Sequence, residues 1–303
     1  MRHNLEKKPL LIILLAVIPI VLVFTIGFAY LGTLISELIY GVAISPSIVL
    51  ESKNQIQAFR FVQIFSVIGT FLLPALCINY IVLKPVNRLW HINMPKDFKL
   101  WGITALSLLC LLPLMYILYA LNKAIELPSF FSSLEGFMQE QELLRERVLF
   151  QFLSLKSPLD FIVNIFLLCG LAAVGEELFF RGCIQAILER LIERKWLAVF
   201  IAAFIFSFVH FQFYGFFPRL AMGLVLGFVF LWTGNILLSI ELHFLFNFIQ
   251  IFSHYLWDDF ISEQFMDLSL IAMLAVTFVS GTLLVVLLRL LYRYAQEKKS
   301  VSK

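Results

Sequence analysis

Eight stretches of this chain are long and apolar enough to cross a bilayer, and no other feature constrains its folding as much. They run over roughly 9–35, 61–83, 101–121, 159–188, 196–216, 217–233, 235–255 and 268–292. A spanning helix needs about 20 mostly apolar residues, because in hydrocarbon every backbone N–H and C=O must be satisfied within the segment itself. The 303 residues are 61% hydrophobic and 14% charged, where a soluble domain has about 45–50% and about 25%. A surplus of that size cannot be hidden inside a water-soluble globule. The expected fold is therefore all-α, a polytopic membrane protein of about eight transmembrane helices whose first partner is the lipid bilayer. A net charge of +3, dispersed along the chain, is too weak to track phosphates and excludes a nucleic-acid partner.

The basic residues give an orientation. With the N-terminus cytoplasmic, 15 of the 23 Lys and Arg fall on the inner side, including Arg2, Lys7, Lys8, Arg190, Arg194, Lys195 and the basic tail. Seven fall outside, among them Arg60 and Arg219, and Arg181 lies within a span. The segment 256–267 carries Asp258, Asp259, Glu263 and Asp267 with no cation, as an outer loop can. An even number of spans then leaves both termini cytoplasmic, in a bacterial inner or plasma membrane. The first apolar run is too long for a cleaved signal peptide and is expected to remain as a span.

No composition shift marks a domain boundary, so the chain divides by content. Residues 1–157 form an N-terminal transmembrane region, 158–255 a core that holds the polar motifs, and 256–303 a last helix with a basic tail. In the loop 122–158, Ser132 and Glu135 have capping-box spacing, and Phe137, Leu144, Val148 and Phe152 recur at helical spacing. This predicts an amphipathic helix on the outer interface, with a lid over a membrane cavity as the functional alternative. Gly223 and Gly227 form a GxxxG. Close packing inside the bundle is the expected reason, and a homodimer face is the other. Cys77, Cys110, Cys169 and Cys183 all sit in apolar runs without CxxC spacing, which predicts small packing residues rather than disulfides or zinc ligands.

Ionisable groups within hydrocarbon are costly unless partnered, so each is a functional candidate. The fourth span holds Glu176, Glu177 and Arg181, the fifth His210, and the seventh Glu241, His243 and Asn247. Glu177 and Arg181 are four apart and can pair on one helix face, while Glu176 is rotated by about 100° from Glu177. His243 and Asn247 share a stripe in the same way. Counted from Arg190 and from Trp196, Glu176 and His210 each lie 14 residues into their spans, or about 21 Å at helical rise. His243 and Asn247 lie 8 and 12 residues past Asn235, about 12–18 Å deep. Three helices can thus bring a carboxylate, two imidazoles and an amide to one level. Glu241, about 200° around the helix from His243, is expected to face the inner interface or another partner.

This constellation, Glu176-Glu177-x-x-x-Arg181, then Phe206-x-x-x-His210, then His243-x-x-x-Asn247, resembles the three-motif signature of the CPBP intramembrane proteases. That family includes the Rce1-type CAAX prenyl endopeptidases, the bacteriocin-processing and immunity proteins, and the lysostaphin-resistance-like proteins. The resemblance covers about residues 158–255. It implies an all-helical core around a polar intramembrane cavity, and hydrolysis of a peptide bond near the C-terminus of a membrane-anchored protein or peptide. Amide hydrolysis needs an activated water, oxyanion donors and a proton for the leaving amine. Glu176 suits the base, His210 a holder of the same water or a proton shuttle, and His243 and Asn247 the oxyanion donors. Glu177 and Arg181 would hold Glu176 in place. No cofactor is required by these residues, although His210, His243 and Glu176 also make a zinc-type set with an open position; the metal-free reading is preferred. A non-catalytic scaffold or immunity factor is the main alternative function, and a transporter a further one.

Overall fold

The computed structural model describes residues 2–44, 52–82, 94–95, 97–125, 128–155, 157–257 and 269–301. The acidic segment Asp258–Asp267 lies outside them. The described secondary structure is all helical, and its main helices are α1 (Arg2–Tyr40), α2 (Lys53–Tyr80), α3 (Phe98–Lys123), α4 (Ser132–Leu153), α5 (Pro158–Leu191), α6 (Lys195–Phe208), α7 (Phe216–Thr233), α8 (Ile236–Trp257) and α9 (Leu270–Val301). Seven of them, all but α4 and α6, are long and apolar enough to cross a membrane. This is an integral membrane protein. The expected span 196–216 is realised only in part. Its helix ends at Phe208 after 14 residues, about 21 Å of rise, and the chain turns before α7 begins.

The second span starts earlier than its apolar run. Ser52 and Gln55 close a capping box, with the Ser52 Oγ accepting from the Gln55 N–H at 3.2 Å and the Gln55 side chain accepting from the Ser52 N–H at 2.9 Å. Two orphan donors of the first turn are thereby satisfied, and helix forms from Lys53 rather than from about 61.

The chain folds as two compact units interleaved in sequence: Met1–His91 with Glu146–Arg194, and Ile92–Arg145 with Lys195–Lys303. In the first unit α1, α2 and α5 pack on one another. Gly69 of α2 lies so close to α1 that an added Cβ would stand 2.7 Å from the Phe24 carbonyl oxygen and collide with Phe28. Gly175 of α5 likewise lets that helix approach Val67 and Phe71 of α2. Phe71 meets the rings of both Phe179 and Phe180 at 5.9 Å. Both rods are opened by π-helical turns, at Ile68–Leu72 and from Cys77 in α2, and at Ile165–Leu171 and Phe180–Gln185 in α5. Such turns widen a helix locally and recur at functional sites.

A polar knot ties the same unit. Arg60 of α2 pairs with Asp160 in the first turn of α5 and donates to the Phe152 carbonyl at the end of α4 at 3.2 Å. Gln57 also donates to Asp160, and Ser157 caps α5 by accepting from the Asp160 N–H. Arg60, counted from sequence among the outer cations, is buried at 2% exposure.

The second unit is built on α3, which packs against α7, α8 and α9. Leu108, Leu111, Leu226, Val229, Leu242 and Leu291 form the centre of its core. Gly223 of α7 faces Ala203 and Phe206 of α6, where an added Cβ would lie 3.1 Å from the Ala203 Cβ. Close packing inside the unit, as expected, explains the first glycine of the GxxxG. In α4, which starts at Ser132 and has Glu135 in its first turn, Phe137, Leu143, Leu144 and Phe150 are exposed while Phe152 and Leu153 are buried. The four cysteines are free thiols; Cys169 and Cys183 are buried and Cys77 and Cys110 half-buried.

Candidate functional site

The first unit presents Glu176, Glu177 and Arg181 on α5. Ala172–Phe179 is regular α-helix, and Arg181 falls in the π-helical turn that follows. The pairing expected from the spacing is present: the Arg181 Nε lies 3.1 Å from the Glu177 Oε2. The two side chains are 1% and 0% exposed. Charges this deep persist only when they neutralise one another. Glu176, one residue earlier, is half-buried. The fully buried pair therefore anchors the stretch of helix from which the more accessible carboxylate projects.

The second unit presents His210, His243 and Asn247. His243 is buried at 5% exposure, and Asn247 is half-buried one turn further along α8. Phe206 of α6, 2% exposed, links the imidazoles. Its ring lies edge-on to His210 at 4.9 Å and to His243 at 5.9 Å. The structure thus brings together two of the predicted residues that are 33 positions apart in sequence.

His210 differs from its expected setting. It does not ride on a spanning helix; it sits in the turn just beyond the end of α6. Phe211, the next residue, has φ +51°, a left-handed conformation that is unusual for a bulky side chain and costs on the order of 1–3 kcal/mol. The helix therefore breaks at the motif histidine. The His210 Nδ1 lies 2.6 Å from the Phe206 carbonyl oxygen. A carbonyl can only accept, so Nδ1 carries the proton and Nε2 of the neutral ring carries the lone pair. One hydrogen bond thus sets both the tautomer and the ring direction.

Sequence reasoning passed over the residues around this turn. The Ser207 Oγ donates to the Phe216 carbonyl at 2.7 Å and closes the turn's base. Asn122, in the last turn of α3, donates to the Phe213 carbonyl. Arg219, in the first turn of α7, donates to the Gln212 side chain. Nothing in the local pattern of Asn122 or Arg219 marks them, because their partners are loop atoms from distant or irregular segments. Glu241 has found its other partner: the Thr104 Oγ1 of α3 donates to the Glu241 Oε2 at 2.6 Å.

Residues 158–249 match the family model described as Rce1-like, type II CAAX prenyl endopeptidase Rce1-like. Over this stretch, about a third of the chain, the sequence is similar to the Rce1-like family. The matched residues include all seven motif positions, from Glu176 to Asn247, and leave α1 to α4 and α9 outside. No curated protein and no solved structure matches the chain. Rce1-like proteins are a protease family, so the expectation of an enzyme acting at a membrane stands at that level. Among the described residues, no three His, Cys, Asp or Glu side chains gather as a metal ion would require.

Proposed function

We propose that this Rce1-like chain is an intramembrane endopeptidase that hydrolyses a peptide bond in a membrane-associated protein or peptide, of CAAX type or related. In this reading Glu176 of α5 supplies the base, and His210, His243 and Asn247 supply the other polar groups of the reaction. Glu176 takes a proton from a water molecule as the water oxygen attacks the scissile carbonyl carbon. The oxyanion accepts hydrogen bonds from His243 and Asn247. The His210 Nε2, held as an acceptor by the Nδ1 contact to Phe206, orients the same water. The proton taken by Glu176 then passes to the leaving amine nitrogen as the C–N bond breaks. The Glu177–Arg181 pair keeps Glu176 at its place on α5. There is no serine or cysteine nucleophile beside a base in these motifs, which favours direct attack by water over a covalent intermediate.

The observation that best supports the reading is the His210 turn. A motif histidine with its proton fixed on Nδ1, next to a second buried imidazole, is arranged for proton chemistry rather than for packing. The Lys and Arg distribution supports cytoplasmic ends for the chain, and the exposed aromatic residues of α4 support a place for that helix at the membrane surface. The test is cleavage of a membrane-anchored reporter peptide by purified protein in lipid nanodiscs. Glu176→Gln should abolish cleavage while the protein still folds; full activity in that variant would refute the proposal. Zinc held by His210, His243 and Glu176 is the competing arrangement. One zinc per protein, lost together with activity in His210→Ala, would overturn the metal-free mechanism.

A further inference from the structure

Two groups outside the motifs converge on the turn that carries His210. The turn leaves α6 at Phe208, passes through the left-handed Phe211 and reaches α7 at Phe216. Its backbone closes on itself through the Phe211 N–H to the Phe208 carbonyl at 3.1 Å and the Phe216 N–H to the Phe213 carbonyl at 3.1 Å. Those bonds are local and would survive in more than one orientation of the loop. Two further contacts reach the turn from other helices. Asn122, 8% exposed at the end of α3, donates to the Phe213 carbonyl. Arg219 on α7 donates to the side chain of Gln212, and its guanidinium packs over Gly215, where an added Cβ would lie 2.9 Å from an Arg219 terminal nitrogen. A strained backbone conformation persists only where its surroundings over-determine it. Here the strained residue directly follows the histidine, and the anchors grip the two positions after it.

We propose that Asn122 and the Arg219–Gln212 pair are positioning residues for His210, clamping the turn so that the imidazole keeps its Nδ1–H bond to the Phe206 carbonyl and presents Nε2 in one direction. The inference rests on the peptidase reading for its catalytic consequence, but the clamp itself is a property of the second unit alone. It assigns work to a buried asparagine, a glutamine and an arginine that carry no motif. It also accounts for a cation at the start of a helix that sequence would leave on the surface. Releasing the clamp lets Phe211 relax toward ordinary φ, and the ring then swings away from the Phe206 carbonyl. A displacement of about 1 Å at such a group costs on the order of 100-fold in rate.

The experiment uses the full chain, labelled with 15N-histidine and reconstituted in nanodiscs, with the His210 resonances assigned by their loss in His210→Gln. The wild-type protein should show the Nδ1–H tautomer. Asn122→Ala and Gln212→Leu should both convert His210 to a mixture of tautomers, whereas Gln212→Glu, which keeps an acceptor for Arg219, should retain the wild-type pattern. Gln212 is half-buried, so its leucine variant keeps the test valid if Asn122→Ala fails to fold, and thermal melting checks each variant. On the reporter peptide, Gln212→Leu should lower kcat by about 10- to 100-fold with KM unchanged, and Gln212→Glu should restore it. An Nε2–H tautomer in the wild type, an unchanged nitrogen spectrum in the folded variants, or an unchanged kcat would each overturn the clamp. Absence of cleavage by the wild-type protein would instead overturn the peptidase reading and leave the nitrogen spectra to judge the clamp alone.

Discussion

Glu177→Gln should be among the most damaging single substitutions in the first unit. It leaves the volume of the side chain almost unchanged but removes the charge that faces the Arg181 guanidinium at 3.1 Å. Were the pair exposed, its loss would cost about 0–1 kcal/mol. With exposures of 1% and 0%, the relevant figure is that for a buried pair broken on one side, about 3–5 kcal/mol, because Arg181 is left charged where water cannot reach it. That is a large fraction of the roughly 5–15 kcal/mol that holds a typical domain together. Arg181→Met should cost a similar amount for the mirror reason. The double variant Glu177→Met with Arg181→Met removes both charges and should cost less than either single change, since apolar replacement of a complete buried pair is often neutral. Reversible unfolding of the protein in mixed micelles, followed by tryptophan fluorescence, measures all three. Single costs below about 1 kcal/mol that simply add in the double variant would refute the reasoning and mark the pair as solvated.

Other substitutions probe the packing. Gly69→Ala should destabilise the protein by about 1–3 kcal/mol through overpacking, because the new methyl meets the Phe24 carbonyl and Phe28 of α1; an unchanged melting temperature would mean that α1 and α2 are further apart. Thr104→Val should cost about 1–3 kcal/mol by depriving the Glu241 carboxyl of its 2.6 Å hydroxyl donor. Thr104→Ser should be close to wild type, and equal stability of the two variants in micelle unfolding would show that the contact contributes nothing.

The apolar runs alone were enough to place most of the helices, because in a membrane hydropathy and length dictate secondary structure almost without competition from tertiary contacts. The exceptions have local causes. The second span starts eight residues early because Ser52 and Gln55 supply a capping box ahead of the apolar run. The fifth stops early although Val209, Phe211 and Phe213 continue the apolar pattern. Hydropathy cannot register that break, since it comes from a positive φ at Phe211 and from side chains elsewhere that hold the turn.

Of the candidate site, the residue types and one pairing were legible. Glu177 and Arg181 meet because their four-residue spacing is a helical neighbourhood. The proximity of His210 and His243 through Phe206 was expected only as a common depth, and it took the packing of α6 in the second unit to create it. The tautomer of His210 and the partner of Glu241 were invisible, because each depends on a single acceptor or donor brought in by the fold. Composition and helical periodicity by themselves determined that this chain is built of membrane helices that carry acidic, imidazole and amide groups. Tertiary structure alone decided where a helix stops short, which buried charges neutralise each other and how a histidine is aimed, since these depend on contacts between segments that no local pattern encodes.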